Sequence, residues 1–309
     1  MRRWWMSMVC VMSLVWGAIA EEAPRVVVSI KPLHSLVSGV MQGVGKPHLL
    51  MSGQASPHTY AFRPSDVRAL QQATLVFWTG EAAEPTLPRF LQSLPDSVRV
   101  VEGMQVPGLL LRPTRHQIDA PGASSPTAHA HEDEPFLDPH LWLDPHNARL
   151  LVQEITEQLS RLDPERATRY ANNRIALDQR LAILDEQLRE QLLSVKEKPY
   201  LVFHDAYQYF EQRYGLSPVG WITAGPDRPP GAGHLRMIRE TLRRSGARCV
   251  FSEPQFPPRI LSVVTEDLPV RVGTLDPVGA ELEEGPDLYF ELLQGLGGAL
   301  HACLSAAAL

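Results

Sequence analysis

The sequence predicts an α/β protein of two lobes, each with a parallel-type sheet flanked by helices, joined by one long rigid helix. Three features of the 309 residues carry this expectation. Short β-branched or apolar runs alternate with amphipathic stretches up to about residue 101, and the same alternation resumes after Pro199. Between the two, Leu177, Leu181, Leu184, Leu188 and Leu192 recur at spacings of three and four among charged residues, the apolar stripe of a single helix. Strands separated by helices pair in parallel, because the helix occupies the crossover.

In chain order, Arg2 and Arg3 precede an apolar stretch over 4–16, followed by Gly17-Ala18-Ile19-Ala20 and the acidic pair Glu21-Glu22. This order reads as a secretory signal peptide, residues 1–20, cleaved after Ala20. The apolar stretch is shorter than the roughly 20 residues that span a bilayer. Cys10 lies within it and lacks the small residues of a lipid-attachment site. The first lobe is assigned to 21–146. Its strands are expected at 25–30, 48–51, 75–78 and 98–101, and its helices at 34–41, 65–73, where Ser65 after Pro64 is placed to cap, and 87–94. From Arg112 to Pro135 the pattern is lost to Pro, Ser, Ala, His and acidic residues, which read as a mobile surface loop.

Linking helices are assigned to 147–198. One covers 147–162, and Asp163-Pro164 offers an N-cap and a first-turn proline for the next, the helix with the leucine stripe. The second lobe, 199–309, is expected to have strands at 200–203, 219–221, 249–251 and 270–275 and helices at 206–214, 234–245, 258–265 and 287–304. No segment after the leader has the length and apolarity of a membrane span, and no internal sequence repeat is evident.

The formal net charge is −6, and loss of Arg2 and Arg3 with the leader takes it to −8. A basic face for neutralising phosphates is therefore missing, which argues against nucleic acid as a partner. Removing the leader also removes Cys10 and leaves Cys249 and Cys303. Two cysteines in an exported chain suggest one disulfide.

Four residues stand where ligands bind in open α/β sheets, beyond the carboxyl ends of strands or in the loops beside them. His58 lies in Ser56-Pro57-His58-Thr59-Tyr60, and His140 follows Asp138-Pro139 at the exit of the polar loop. His204 directly follows the run 200–203, and Asp276 the run 270–275. Imidazole nitrogens with one carboxylate oxygen suit zinc. Each taken singly also has a plainer role, as a surface histidine or, for Asp276 before Pro277, as the start of a turn.

Ser29-Ile30-Lys31-Pro32-Leu33-His34, Pro57-His58-Thr59-Tyr60 with Arg63-Pro64-Ser65-Asp66, and His140-Leu141-Trp142-Leu143-Asp144-Pro145 resemble segments of the zinc-uptake solute-binding proteins of the ZnuA type. So do Phe203-His204-Asp205-Ala206-Tyr207, Ser252-Glu253-Pro254-Gln255-Phe256 and Gly273-Thr274-Leu275-Asp276-Pro277, in the family's order and over nearly all of the chain after the leader. The resemblance implies a monomeric periplasmic protein that binds zinc in the cleft between two lobes and delivers it to an ABC transporter permease. It implies His58, His140 and His204 as ligands, with Asp276 as a fourth ligand or a nearby carboxylate that water can replace. It also implies a Cys249–Cys303 disulfide. Manganese-type relatives usually carry glutamate at the place of His204, which favours zinc.

ZnuA-type loops are often dense in histidine, whereas this one holds only His116, His129 and His131 beside Glu132, Asp133 and Glu134, and reads as a solvated linker rather than a metal collector. His34, Trp142 and Trp78 read as packing residues, and Asp138, Asp144 and Glu253 as turn, cap or histidine-orienting groups. Two other functions compete with zinc delivery: a manganese-binding relative or adhesin, and a secreted zinc hydrolase with Asp276 as general base. The chain shows no nucleophile paired with a positioned base, so it is read as a binding protein and not an enzyme.

Overall fold

β-Branched Val26–Val28 forms β1, fully buried, and Pro32 supplies the fixed φ suited to the first turn of α1, Lys31–Val40. The first lobe continues through β2 (His48–Leu49), α2 (Pro64–Gln72), β3 (Leu75–Trp78), α3 (Pro88–Leu91) and β4 (Arg99–Glu102). Two helices follow, α4 (Pro145–Leu162) and α5 (Ala167–Leu192). The second lobe holds β5 (Tyr200–His204), α6 (Gln208–Tyr214), β6 (Pro218–Thr223) and α7 (Ala232–Ser245), then β7 (Cys249–Ser252), α8 (Arg259–Thr265), β8 (Arg271–Thr274) and α9 (Leu288–Ser305). The computed structural model describes residues 22–115, 136–223, 230–256 and 259–307. The predicted leader 1–20 and residues 116–135 of the predicted loop lie outside them. Among the described residues no helix is long and apolar enough to cross a membrane.

All strand pairs are parallel, and the same order occurs twice: β2-β1-β3-β4 in one sheet and β6-β5-β7-β8 in the other. In each sheet the connections diverge between the first and third strands, so a crevice opens at their carboxyl ends. The first crevice is plugged. Ser29 and Thr79, just past β1 and β3, donate to the same oxygen of buried Glu84, through the Ser29 hydroxyl at 2.9 Å and the Thr79 backbone N–H at 3.1 Å. At the second crevice, His204 ends β5 and Glu253 follows β7.

Alternation along β5 divides the core. Tyr200 and Val202 join an apolar cluster that runs through α5 into the first lobe, while Leu201 and Phe203 pack in a separate cluster with α7 and α8. The 26 residues of α5 span about 39 Å, and Leu177, Leu181, Leu184, Leu188 and Leu192 are its buried leucines. Both lobes approach this stripe at a glycine. A Cβ at Gly39 of α1 would lie 2.8 Å from Leu177, and one at Gly297 of α9 would lie 2.5 Å from Leu188. Lys31 also ties the lobes, donating from its buried ammonium to the carbonyls of Gly279, Ala280 and Leu282 at 3.2, 2.8 and 2.9 Å. Cys249 of β7 and Cys303 of α9 form the disulfide; closing 54 residues contributes on the order of 4 kcal/mol by chain entropy.

Three local expectations change. Ser65 does not cap α2: Asp66 accepts from the Arg63 backbone N–H at 2.8 Å, and the Ser65 hydroxyl donates to Asp66 instead. Asp163 stands at the N-cap of the 3-10 turn Pro164–Arg166 that leads into α5, with Pro164 in its first turn as expected, but its carboxylate pairs with the side chains of Arg166 and Tyr170, at 2.9 and 2.8 Å. The helix predicted over 87–94 shrinks to one turn, Pro88–Leu91.

Two stability predictions follow from this packing. Gly297→Ala presses a methyl into Leu188, and a loss of about 1–3 kcal/mol is expected in denaturant unfolding. Burial pushes Glu84 up to about 7 against the opposing hydrogen bonds from Ser29 and Thr79, and its second carboxylate oxygen has no hydrogen-bond partner among the described residues. A carboxyl raised on folding stabilises the protonated form, so this contribution is complete below about pH 4.5 and is lost as pH rises through about 7. Glu84→Gln should therefore remove on the order of 3 kcal/mol of the decline in unfolding free energy between about pH 5 and pH 8.

Candidate metal centre

His58 sits in the 3-10 turn Pro57–Thr59 between β2 and α2, where Pro57 fixes the first dihedral. His140 precedes a second such turn, Leu141–Leu143, whose three side chains are buried. Trp142 anchors that turn to the second lobe by donating its indole N–H to the Pro277 carbonyl at 2.7 Å. His204 ends β5 on the Tyr200 and Val202 face, by strand alternation.

These three histidines, from three distant stretches of sequence, meet. Their ring centroids are 5.0–5.5 Å apart, and one nitrogen of each lies within 4.8 Å of the others. His58 Nε2 and His140 Nε2 are separated by 3.3 Å. Two nitrogens held about 2.1 Å from one tetrahedral ion stand about 3.4 Å apart, so this spacing suits a shared zinc-sized cation. The cavity they line has a volume of about 10 Å³, the size of one water-sized body and too small for an organic ligand.

Buried carboxylates orient two of the rings. Asp138 Oδ1 accepts from both the backbone N–H and the ring Nδ1 of His140, at 3.0 and 2.8 Å, which leaves Nε2 as the basic nitrogen. His204 Nδ1 faces Glu253 Oε2 at 3.5 Å, and the other Glu253 oxygen accepts from the Tyr207 hydroxyl at 3.0 Å. Carboxylate, histidine and metal in line is the arrangement that raises the basicity of a ligating imidazole.

Burial, helped by nearby His204, holds His140 well below the usual histidine range. Burial also opposes protonation of His204, but the charge and hydrogen bond of Glu253, with Asp205 and Asp138 behind it, raise it overall. Asp138 is pushed up to about 6 by burial, opposed by the His140 backbone N–H and by Arg115.

Asp276, named with the three histidines from sequence, is not brought into their group. Its carboxylate accepts from Gln255 at 3.0 Å and from the backbone N–H groups of Val278, Gly279 and Ala280. Two of its partners, Gln255 and Val278, line the cavity, and Asp276 itself does not. His34 donates from Nε2 to the Pro47 carbonyl, 3.1 Å away, and Asp144 caps α4 by accepting from the His146 N–H. His116, His129 and His131 lie outside the described residues. Sequence reasoning passed over Arg115, whose place in a polar stretch carried no signal.

Comparison with known proteins bears on the family and the fold. The family described as "Zinc-uptake complex component A periplasmic" matches residues 26–303. The "High-affinity zinc uptake system protein ZnuA" of Brucella suis biovar 1 (strain 1330) is 40% identical, with 94% of each chain covered. Its namesake from Yersinia pestis is 35% identical, covering 90% of this chain and 91% of that one. Among solved structures, a ZnuA crystal structure superposes with a TM-score of 0.77 at 23% identity, covering 91% of this chain and 99% of that one. The solute-binding protein FpvC of Pseudomonas aeruginosa in complex with Mn2+ superposes with a TM-score of 0.76 at 19% identity, covering 91% and 98%. These two likenesses concern the fold.

The orienting carboxylates yield a direct test. Asp138→Asn and Glu253→Gln should each weaken binding of a divalent transition ion by roughly 10- to 100-fold, read by competition with a chromophoric chelator. Unchanged affinity in both would strip the carboxylates of this role.

Proposed function

Since the chain belongs to the family of periplasmic zinc-uptake components A, we propose that it captures a zinc ion between its lobes and delivers it to the permease of an ABC transporter. The observation that carries this reading is the convergence of His58, His140 and His204, with donor atoms within 4.8 Å, around a cavity that fits one ion. In this reading the three imidazoles supply nitrogen ligands, His58 and His140 from the first half of the chain and His204 from the second. Asp276, committed to capping the 278–280 turn, acts as the neighbouring carboxylate, and water completes the tetrahedron. The relatives are named for uptake and not for catalysis.

Zinc is the cargo this donor set favours. Three nitrogens suit zinc, whereas manganese is better served by carboxylate, carbonyl and water oxygens. The proposal places the protein in the periplasm, with residues 1–20 as its removed leader, 21–146 and 199–309 as the metal-grasping lobes, and 147–198 as the link between them. Separation of the lobes at the permease would part His204 from His58 and His140 and lower the affinity in one step.

Titration of metal-stripped protein with zinc and then manganese tests the reading. Zinc should bind more tightly, and His204→Ala should cost on the order of 100-fold or more while the circular dichroism spectrum stays unchanged. Protons compete with the ion for imidazole nitrogen, so affinity must fall as pH falls. Because His204 is raised, the decline should begin above about pH 6.5, with His140, held low, joining only at lower pH. A flat profile from about pH 8 to pH 5 would count against histidine ligation.

A further inference from the structure

Arg115 stands at the foot of the 116–135 segment, yet its side chain serves the second lobe. Its Nε and Nη2 donate to both oxygens of Asp205, the former at 3.3 Å, and its Nη1 donates to Glu211 Oε2 at 2.8 Å. The guanidinium lies over the Trp221 ring of β6, 5.0 Å from its centroid. Glu211 is 2% exposed and Asp205 9%, so Arg115 is the counter-charge of two buried carboxylates. Asp205 immediately follows His204 in the chain.

The backbone bearing Arg115 is clipped to the other side of the site. Thr114 N–H donates to Phe136 O at 2.7 Å, and Asp138 N–H donates to Arg112 O at 2.8 Å. Asp138 is the carboxylate that orients His140. One short ribbon thus holds His140 through Asp138 and reaches His204 through Asp205. The α6 helix clasps the same ribbon: the Tyr209 hydroxyl accepts from Arg112 N–H at 3.0 Å and donates to Asp138 O at 2.9 Å.

We propose that Arg115 is a positioning residue for the ion site: it bridges from the ribbon to the second lobe and fixes Asp205, and with it His204, where His204 meets His58 and His140. This rests on the zinc-capture reading above. A bidentate guanidinium fixes direction as well as distance, and a lysine ammonium, a single point of charge, cannot span Asp205 and Glu211 in the same way. Loss of Arg115 leaves His204 facing Glu253 and its backbone paired with β6, but removes the tie through the Asp205 side chain, so the ion should leave faster.

The test compares zinc dissociation into excess chelator for the wild type, Arg115→Ala, Arg115→Lys and the triple variant Arg115→Met/Asp205→Asn/Glu211→Gln. Arg115→Ala should release zinc at least about tenfold faster, with Arg115→Lys in between. The triple variant buries no unpaired charge, so it should recover the wild-type melting temperature, yet still release zinc fast. In NMR of ring-labelled histidine, the His204 signals should broaden without Arg115 while those of His58 stay sharp. Release from Arg115→Ala within twofold of wild type would overturn the proposal. So would a triple variant that regains the wild-type rate along with its stability, since Arg115 would then serve only to neutralise charge. If the wild type takes up no zinc, the capture reading falls and this one with it; tight wild-type binding matched by Arg115→Ala sinks the positioning role alone.

Discussion

Side chains from two lobes can share one small cation only if the lobes are held at a set separation, and packing on α5 sets it. Its leucine stripe meets α1 at Gly39 and α9 at Gly297, where the absence of a Cβ lets the helix backbones come close. Close-packed interiors transmit small displacements instead of absorbing them, so a methyl at either glycine would be felt at the cleft as well as at the contact. The core follows the same constraint: one apolar cluster runs from the first lobe through α5 to the inner face of β5, the strand that ends in His204. The donated hydrogen bonds of Lys31 and the Trp142 contact with Pro277 then fix the lobes at the rim of the site.

Within that frame the two sheets share one strand order but treat their crevices differently. Glu84 fills the first with its own carboxyl, held by the residues just past β1 and β3. The second is left open to His204 and Glu253, at the corresponding ends of β5 and β7. The first lobe therefore contributes to the cavity from its loops, through His58 and His140, and the second from a strand end.

Much of this could be read from sequence wherever a local pattern has one structural meaning. The leucine stripe of α5 has the helical period, and the runs at β1, β3, β5 and β7 are too short and too branched to be helices. His204 is legible because it ends such a run, and the Cys249–Cys303 disulfide because these are the two cysteines outside the predicted leader. What local pattern could not supply was partnership. Ser65 and Asp66 are both acceptable at a helix start, and only the geometry of Arg63 selects Asp66. Asp276 begins a turn and also follows a strand, and the sequence does not say that three backbone N–H groups claim its carboxylate. Arg115 lies in a stretch without periodicity, and its function depends on Asp205 and Glu211, 90 and 96 residues away.

The charge around the site completes the argument for a dication. Asp138, Asp205, Glu211 and Glu253 are packed behind the histidines, and burial raises the first three against the counter-charge of Arg115. A divalent ion in the cavity reverses that effect, because its own charge is the largest local term and favours ionised carboxylates. Asp138, Asp205 and Glu211 do not line the cavity and Glu253 does, but none of the four adds an oxygen to the cluster of donor atoms. Calcium and magnesium demand several oxygens in direct contact, which this cavity withholds. On the zinc-capture reading, attraction comes from the buried acids and discrimination from the imidazole nitrogens. That division admits a cation and, among cations, favours those at ease with nitrogen.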